Sequence, residues 1–274
     1  MTAIAFTSSG SRRRSAAGFS LVELAIAMFI MALLLGSILV PLQSQVRSRK
    51  LDETDRILVQ AREALLGYVA ANGYFPCPAS STSNGAEPAG TVHGTGFCPA
   101  SVTGTNAYVG FLPAVTLGFV PVDGSGYALD AWGLQQNRIR YAVANANITT
   151  NALCPVALTT PYTQTTGMRR ATMACIQSLT TLLYVCNSGI GVTATGCASS
   201  NAELADNAIV VIWSLGENAP TGGTAPHEDK NLNNDRVYVL APYSTNAGSV
   251  FDDQLTWIGP PTLFNRMVSA GMLP

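Results

Sequence analysis

Residues Phe19 to Leu42 form an apolar run interrupted by one ionisable group, Glu23. At about 1.5 Å per residue such a run is long enough, as a helix, to cross a hydrocarbon layer of about 30 Å. No other arrangement of a single apolar segment satisfies its own backbone hydrogen bonds in lipid, so residues 19–42 are expected to be one membrane-spanning helix. Glu23 sits near the start of that helix. A carboxylate at mid-helix costs roughly 2.5–3.5 kcal/mol on insertion scales, and less near the interface, so its presence calls for a partner cation.

The residues before the run read as a leader, 1–18, polar and acid-free, with Arg12, Arg13 and Arg14 ahead of Gly18. An ordinary signal peptide would close a shorter apolar core with a small-x-small site. Here the run continues to Leu42 and is followed by Gln43-Ser44-Gln45-Val46. The arginines also make no twin-arginine signal with Ser15-Ala16-Ala17-Gly18. Loop charge leaves the orientation open, because Arg47, Arg49 and Lys50 follow the span as three arginines precede it.

The junction Gly18-Phe19, with Glu23 at the fifth position of the apolar segment, resembles the prepilin processing site of type IV pilins and type II secretion pseudopilins. That resemblance implies a membrane aspartic peptidase that cuts after Gly18 and N-methylates Phe19. It implies a leader in the cytoplasm, a single pass through the bacterial inner membrane and a periplasmic head, followed by assembly into a filament. The implied partners are the prepilin peptidase, other pilin or pseudopilin subunits and an inner-membrane assembly platform. Cleavage would free an amine on Phe19, and in a filament the Glu23 carboxylate of one subunit would meet the amine of its neighbour. An unpaired buried charge costs several kcal/mol, which makes that pairing selective. The glutamate also argues against the filament-tip pseudopilins that usually lack it.

After Pro41 the helix is expected to continue over 43–72 and to become amphipathic, with Pro41 loosening or kinking it locally. Val46, Leu51, Thr54, Leu58, Ala61, Leu65 and Tyr68 or Val69 recur at helical spacing, with Arg49, Asp52, Asp55, Arg56, Arg62 and Glu63 between them. Asn72-Gly73 is a stop. The remainder, 73–274, is expected to form one periplasmic head, with 145–206 as a polar insertion and a short helix over 168–181. Strands are expected at Arg138–Val143, Ala208–Ser214, Arg236–Leu240 and Gln254–Ile258, with a short helix at Leu263–Ala270. The doubly apolar Ala208–Ser214 is the central one. The fold class is α+β: a long N-terminal helix packed on an antiparallel sheet head with a disulfide-containing insertion.

The head carries seven basic and eleven acidic residues, a weakly charged surface with no footprint for nucleic acid. Arg138/Arg140 and Arg169/Arg170 read as solvated pairs. All six cysteines, Cys77, Cys98, Cys154, Cys175, Cys186 and Cys197, follow the apolar run, as disulfides in an oxidising compartment would. Six cysteines allow 15 connectivities. Local pairs, Cys77 with Cys98, Cys154 with Cys175 and Cys186 with Cys197, are favoured because each closes a polar loop with little apolar surface to hold it. His93 and His227 are isolated and no Cys-x-x-Cys occurs, which disfavours zinc.

A second resemblance lies in the head. Asp130-Ala131-Trp132-Gly133 before Arg140-Tyr141, then Ser214-Leu215-Gly216-Glu217-Asn218 with Gly222-Gly223 and Trp257, are similar to the major pseudopilin pattern. There a comparable turn precedes a strand and an acidic loop binds calcium; Ala131 and Glu217-Asn218 depart from it. Calcium is therefore the one cofactor the resemblance admits, and its side-chain ligands would be Glu228, Asp229 and Asp235, with Glu217 next; Asp252 and Asp253 lie further along. Without an ion the loop is a solvated acidic turn, which the sequence favours over the metal, and for Trp132, Trp213 and Trp257 core packing is the favoured reading.

Catalysis finds no support: there is no Gly-x-Ser-x-Gly elbow, no His-Glu-x-x-His and no phosphate loop. The chain thus reads as a structural filament subunit and not an enzyme. A filament-displayed adhesin, resting on the 145–206 insertion, and a membrane-anchored periplasmic enzyme are the alternatives.

Overall fold

Helix α1 starts where Ser20 supplies a cap: its Oγ accepts the Val22 N–H at 3.2 Å and its carbonyl accepts the Leu24 N–H at 3.1 Å. From there α1 runs over Leu21–Asn72, through Pro41, and ends ahead of Gly73. The computed structural model describes residues 20–99, 103–104, 107–172, 174–175 and 182–272, with the backbone alone for 37–42 and 103–104. Two units divide the chain, Met1–Ser48 and Arg49–Pro274.

In the first unit the described side chains of α1 from Leu21 to Leu35 are exposed and mostly apolar. Among the described residues no helix is long and apolar enough to cross a membrane. The expected span of 19–42 includes Phe19 and the side chains of 37–42, which lie outside the described residues, as do Gly18 and the leader.

The second unit starts with the remainder of α1. Thr54, Leu58, Ala61, Leu65, Leu66 and Val69 are buried, while Asp52, Asp55, Arg56 and Glu63 are exposed. The buried stripe follows the helical spacing of the sequence, and each fully buried Leu or Val contributes about 1.5–3 kcal/mol. It shares one apolar core with the strands of the main sheet, including Tyr141, Val211, Trp213 and Leu255.

That sheet has the order β1-β2-β3-β6-β8, antiparallel throughout: β1 Thr103–Gly104, β2 Ala107–Phe111, β3 Arg140–Ala144, β6 Val210–Ser214 and β8 Gln254–Ile258. All five residues of β6 are buried, as its two apolar faces require of a strand flanked by β3 and β8. β2 is not among the expected strands: its Ala-Tyr-Val-Gly-Phe follows the Ser/Thr/Gly-rich loop directly and lacks a polar alternation.

A second sheet has the order β5-β4-β7: β4 Leu183–Cys186, β5 Glu203–Ala208 and β7 Val237–Val239. β4 and β7 are parallel, with Tyr184 opposite Val237 and Cys186 opposite Val239. The head is therefore not purely antiparallel. The long connection through β5, β6 and the following loop gives the crossover that a parallel pair requires. The 145–206 region is built into the fold through this sheet. Of the short helix expected over 168–181, Gly167–Arg170 is a helical turn, and 173 and 176–181 lie outside the described residues. The C-terminal helix covers Pro260–Ser269 and buries Leu263, Phe264 and Met267.

Arg138 is not solvated. It is buried, pairs with Asp123 at 2.8 Å and lies 4.0 Å over the Tyr127 ring. Arg140 is half-buried near Phe111, whereas Arg169 and Arg170 are exposed.

Three disulfides join Cys77 to Cys98, Cys154 to Cys175 and Cys186 to Cys197, each closing a local loop. Peptide mapping under non-reducing conditions is expected to link Cys77 to Cys98; a link from Cys77 to any cysteine from Cys154 onward would refute this. Replacing both residues by serine is expected to cost about 3 kcal/mol, the chain-entropy contribution of a loop of about 20 residues.

Candidate metal centre and the N-terminal motif

Three carboxylates meet beneath the loop that follows β6. Ligand oxygens of Glu228, Asp252 and Asp253 lie within 4.8 Å of one another, and all three residues are buried, at 2%, 7% and 5% exposure. Asp252 and Asp253 arrive together at the start of β8. Glu228 comes from the helical turn that holds Asp229–Asn231.

Neutral donors fix the three side chains. Asn218 donates its backbone N–H to Asp252 Oδ2 at 3.1 Å and its side-chain amide to Glu228 Oε1 and Oε2 at 2.8 and 2.9 Å. The Asp252 backbone N–H reaches Glu228 Oε1 at 3.2 Å. Asn231 donates to Asp253 Oδ2 at 2.7 Å, and the Trp213 indole donates to the Asn231 carbonyl at 3.1 Å. Asp252 Oδ1 is buried without a hydrogen-bond partner.

Two glycines form the wall. Gly216 has φ +66°, and a Cβ there would fall 2.6 Å from Asp252 Oδ1; a Cβ on Gly223 would fall 2.7 Å from Glu228 Oε2. Only residues without a side chain permit this approach.

The grouping raises the cost of ionisation. Burial, with added repulsion from Glu228, pushes the Asp252 carboxyl up to about 6, against the Asn218 N–H. Burial likewise holds Asp253 well above the usual carboxylate range, with Glu228 and Asp252 adding to it and Asn231 opposing it. A hard divalent cation would relieve both terms, and an all-oxygen donor set with an orphaned carboxylate oxygen has the chemistry that such a cation requires.

Of the ligands expected from sequence, only Glu228 is in this cluster. Asp229 is exposed on its turn, and Glu217 is exposed at the loop's edge. The Asp235 Oδ1 accepts the Val237 N–H at 2.7 Å, which commits it to the start of β7. Its carboxyl is raised by burial, against that hydrogen bond. Asp252 and Asp253 take their place. The signal for them was a pair of adjacent acids entering a strand directly after Phe251, in a position where a solvated turn was unnecessary.

Cys77, Glu87 and His93 also lie together, but the Cys77 sulfur is committed to its disulfide. His93 Nδ1 donates to the Thr163 carbonyl at 2.9 Å, and Nε2 lies 3.0 Å from Glu87 Oε1, a charge contact without hydrogen-bond alignment. Its ring lies 4.2 Å from that of Tyr74. Both neighbours of the imidazole are acceptors, so the imidazolium suits the site. Burial lowers the His93 pKa, but Glu87 and the Thr163 carbonyl outweigh it, and the net shift is upward. A raised folded value means that the stabilisation is fully present below the ordinary value of about 6.5 and is lost as pH rises through the folded one. His93→Gln is therefore expected to cost about 1 kcal/mol at pH 5.5 and less above the folded pKa, read from urea midpoints across pH. An equal cost at every pH would show that the imidazolium is not used.

At the N-terminus, Glu23 lies in the first turn of α1 and is exposed; Gly18 and Phe19 lie outside the described residues. Residues 13–39 match the family model for the prokaryotic N-terminal methylation motif. The motif supports a type IV pilin-like, or pseudopilin, family. The match spans Gly18, Phe19 and Glu23 and ends before the head of this pilin-like protein. No characterised protein and no solved structure matches the chain.

Proposed function

We propose that this pilin-like protein is a structural subunit of a type IV pilus or of a type II secretion pseudopilus. Prepilin peptidase cuts after Gly18 and methylates Phe19; the protein then waits in the inner membrane with its head in the periplasm and polymerises through α1. The observation that carries the reading is the methylation motif over 13–39, with Glu23 inside it. The exposed apolar side chains from Leu21 to Leu35 support it, since neighbouring helices or lipid would cover them.

Intact-mass analysis of membrane-extracted protein tests the first step. A mature chain beginning at N-methyl-Phe19 is expected, and Met1 or Thr2 at the terminus would sink the processing reading. Gly18→Glu is expected to block the cut. Glu23→Ala is expected to leave cleavage unchanged and to abolish incorporation into filaments, because the neighbour's amine then has no counter-charge. Assembly at the parent level would refute the amine–carboxylate pairing.

The head is proposed to hold one calcium ion, with Glu228, Asp252 and Asp253 as side-chain ligands. The buried, unpartnered Asp252 Oδ1 and the two glycine walls support this assignment.

A further inference from the structure

We propose that Asp130 fastens the carboxylate site to helix α1, so that a cation bound there stiffens the helix around Thr54. The inference rests on the calcium reading above and extends it from a local site to the helix that organises the head.

Asp130 is 4% exposed, and both of its oxygens are occupied. Oδ1 accepts the N–H groups of Trp132 and Gly133 at 2.8 and 3.4 Å. Oδ2 accepts the Asn137 amide at 3.0 Å and the Ser214 hydroxyl at 2.5 Å. These two side chains then hold Gly216 from both sides: Asn137 Nδ2 donates to the Gly216 carbonyl, and Ser214 Oγ accepts the Gly216 N–H at 3.1 Å. Gly216 is the residue whose backbone abuts Asp252, and two residues later Asn218 bonds Asp252 and Glu228.

The other end of the same turn is fastened to α1. The Ala131 N–H donates to Thr54 Oγ1 at 3.2 Å, and Thr54 is fully buried. Lys50 Nζ lies 4.6 Å over the Trp132 ring. A continuous series of hydrogen bonds and covalent links therefore runs from Thr54 through Ala131, Asp130, Ser214 and Asn137 to Gly216 and the carboxylates. Most of these groups are buried, where unmade hydrogen bonds are costly, so displacement at one end is resisted at the other.

The Asn218 N–H and amide hold Asp252 and Glu228 beside each other and tie both to the 216–218 backbone. A bound cation draws them together and sets Gly216 in place. Asp130 touches neither the cation nor a ligand; it is a positioning residue that acts through Gly216.

The test uses the full chain in detergent micelles, with calcium chloride as the only probe. Hydrogen exchange over residues 50–58 and calcium affinity by calorimetry are measured for the parent protein and for Thr54→Val. This variant keeps the buried shape of Thr54 but removes the acceptor for Ala131. The expected results are slower exchange at 50–58 on calcium addition, and an affinity about fivefold weaker in Thr54→Val, at the low end of usual coupling between sites. The calcium-dependent slowing should also disappear in that variant. Calcium binding of equal strength to both proteins, with exchange at 50–58 indifferent to it, would overturn the coupling and leave the metal site standing. No binding to the parent protein would overturn the metal site and this inference with it. Ser214→Ala is a second variant, distant from the helix, that should weaken the coupling without altering a ligand.

Discussion

Calcium chloride is expected to raise the melting temperature of the full-length protein by about 5–10 °C, and chelator to reverse the gain. At a hundredfold excess over the dissociation constant, a ligand specific to the folded state contributes about 2.7 kcal/mol. For a unit of about 150–250 residues, each kcal/mol corresponds to roughly 2–4 °C. Magnesium should do less, because it holds its water shell and demands a tight octahedral arrangement. Asp253→Asn separates the ion from general salt effects. The variant loses a buried carboxylate that is expensive to ionise, so its melting point in chelator should equal or exceed that of the parent. Its gain from calcium should vanish. A parent protein whose melting point is flat to millimolar calcium would reduce the cluster to three buried acids held by hydrogen bonds alone.

Trp213→Ala is expected to cost about 3–5 kcal/mol, near the top of the range for core truncations. The indole is 1% exposed on β6, lies 4.8 Å from the Tyr238 ring and donates to the Asn231 carbonyl. Removing it leaves a void between the two sheets and an unmet carbonyl. Because Asn231 also holds Asp253, calcium should bind the variant more weakly. Trp132→Ala gives the contrast: that ring is half-buried and is covered by Lys50, a contact worth about 0.5–1 kcal/mol. Urea midpoints of the two variants measure both effects. Equal losses would show that the core is not organised around β6.

Elements that depend on one short stretch of chain were legible in the sequence. The stripe Thr54, Leu58, Ala61, Leu65 and Val69 gave the face of α1 that is buried, and the doubly apolar β6 announced its interior position. The local cysteine pairs that loop closure favoured, among 15 connectivities open to the sequence, are the ones the structure joins. β8 and the C-terminal helix came from the same kind of pattern. What failed were the choices of which particular side chains distant segments bring together. Arg138 read as solvated because its partner, Asp123, and its aromatic cover, Tyr127, are brought to it by the fold of the intervening hairpin.

The N-terminal segment by itself carried the methylation motif, because Gly18-Phe19, Glu23 and the apolar run are contiguous and the motif needs no fold to be read. The parallel β4–β7 pair and the acidic site were decided only by tertiary structure. In sequence, Glu228, Asp229 and Asp235 are equivalent acids in one polar loop. Backbone hydrogen bonding turns Asp235 toward Val237, the helical turn leaves Asp229 in solvent, and packing brings Glu228 to Asp252 and Asp253 across more than twenty residues. Carboxylates act together when their oxygens are a few ångströms apart, and that distance is set by the sheet that carries them, not by their spacing along the chain.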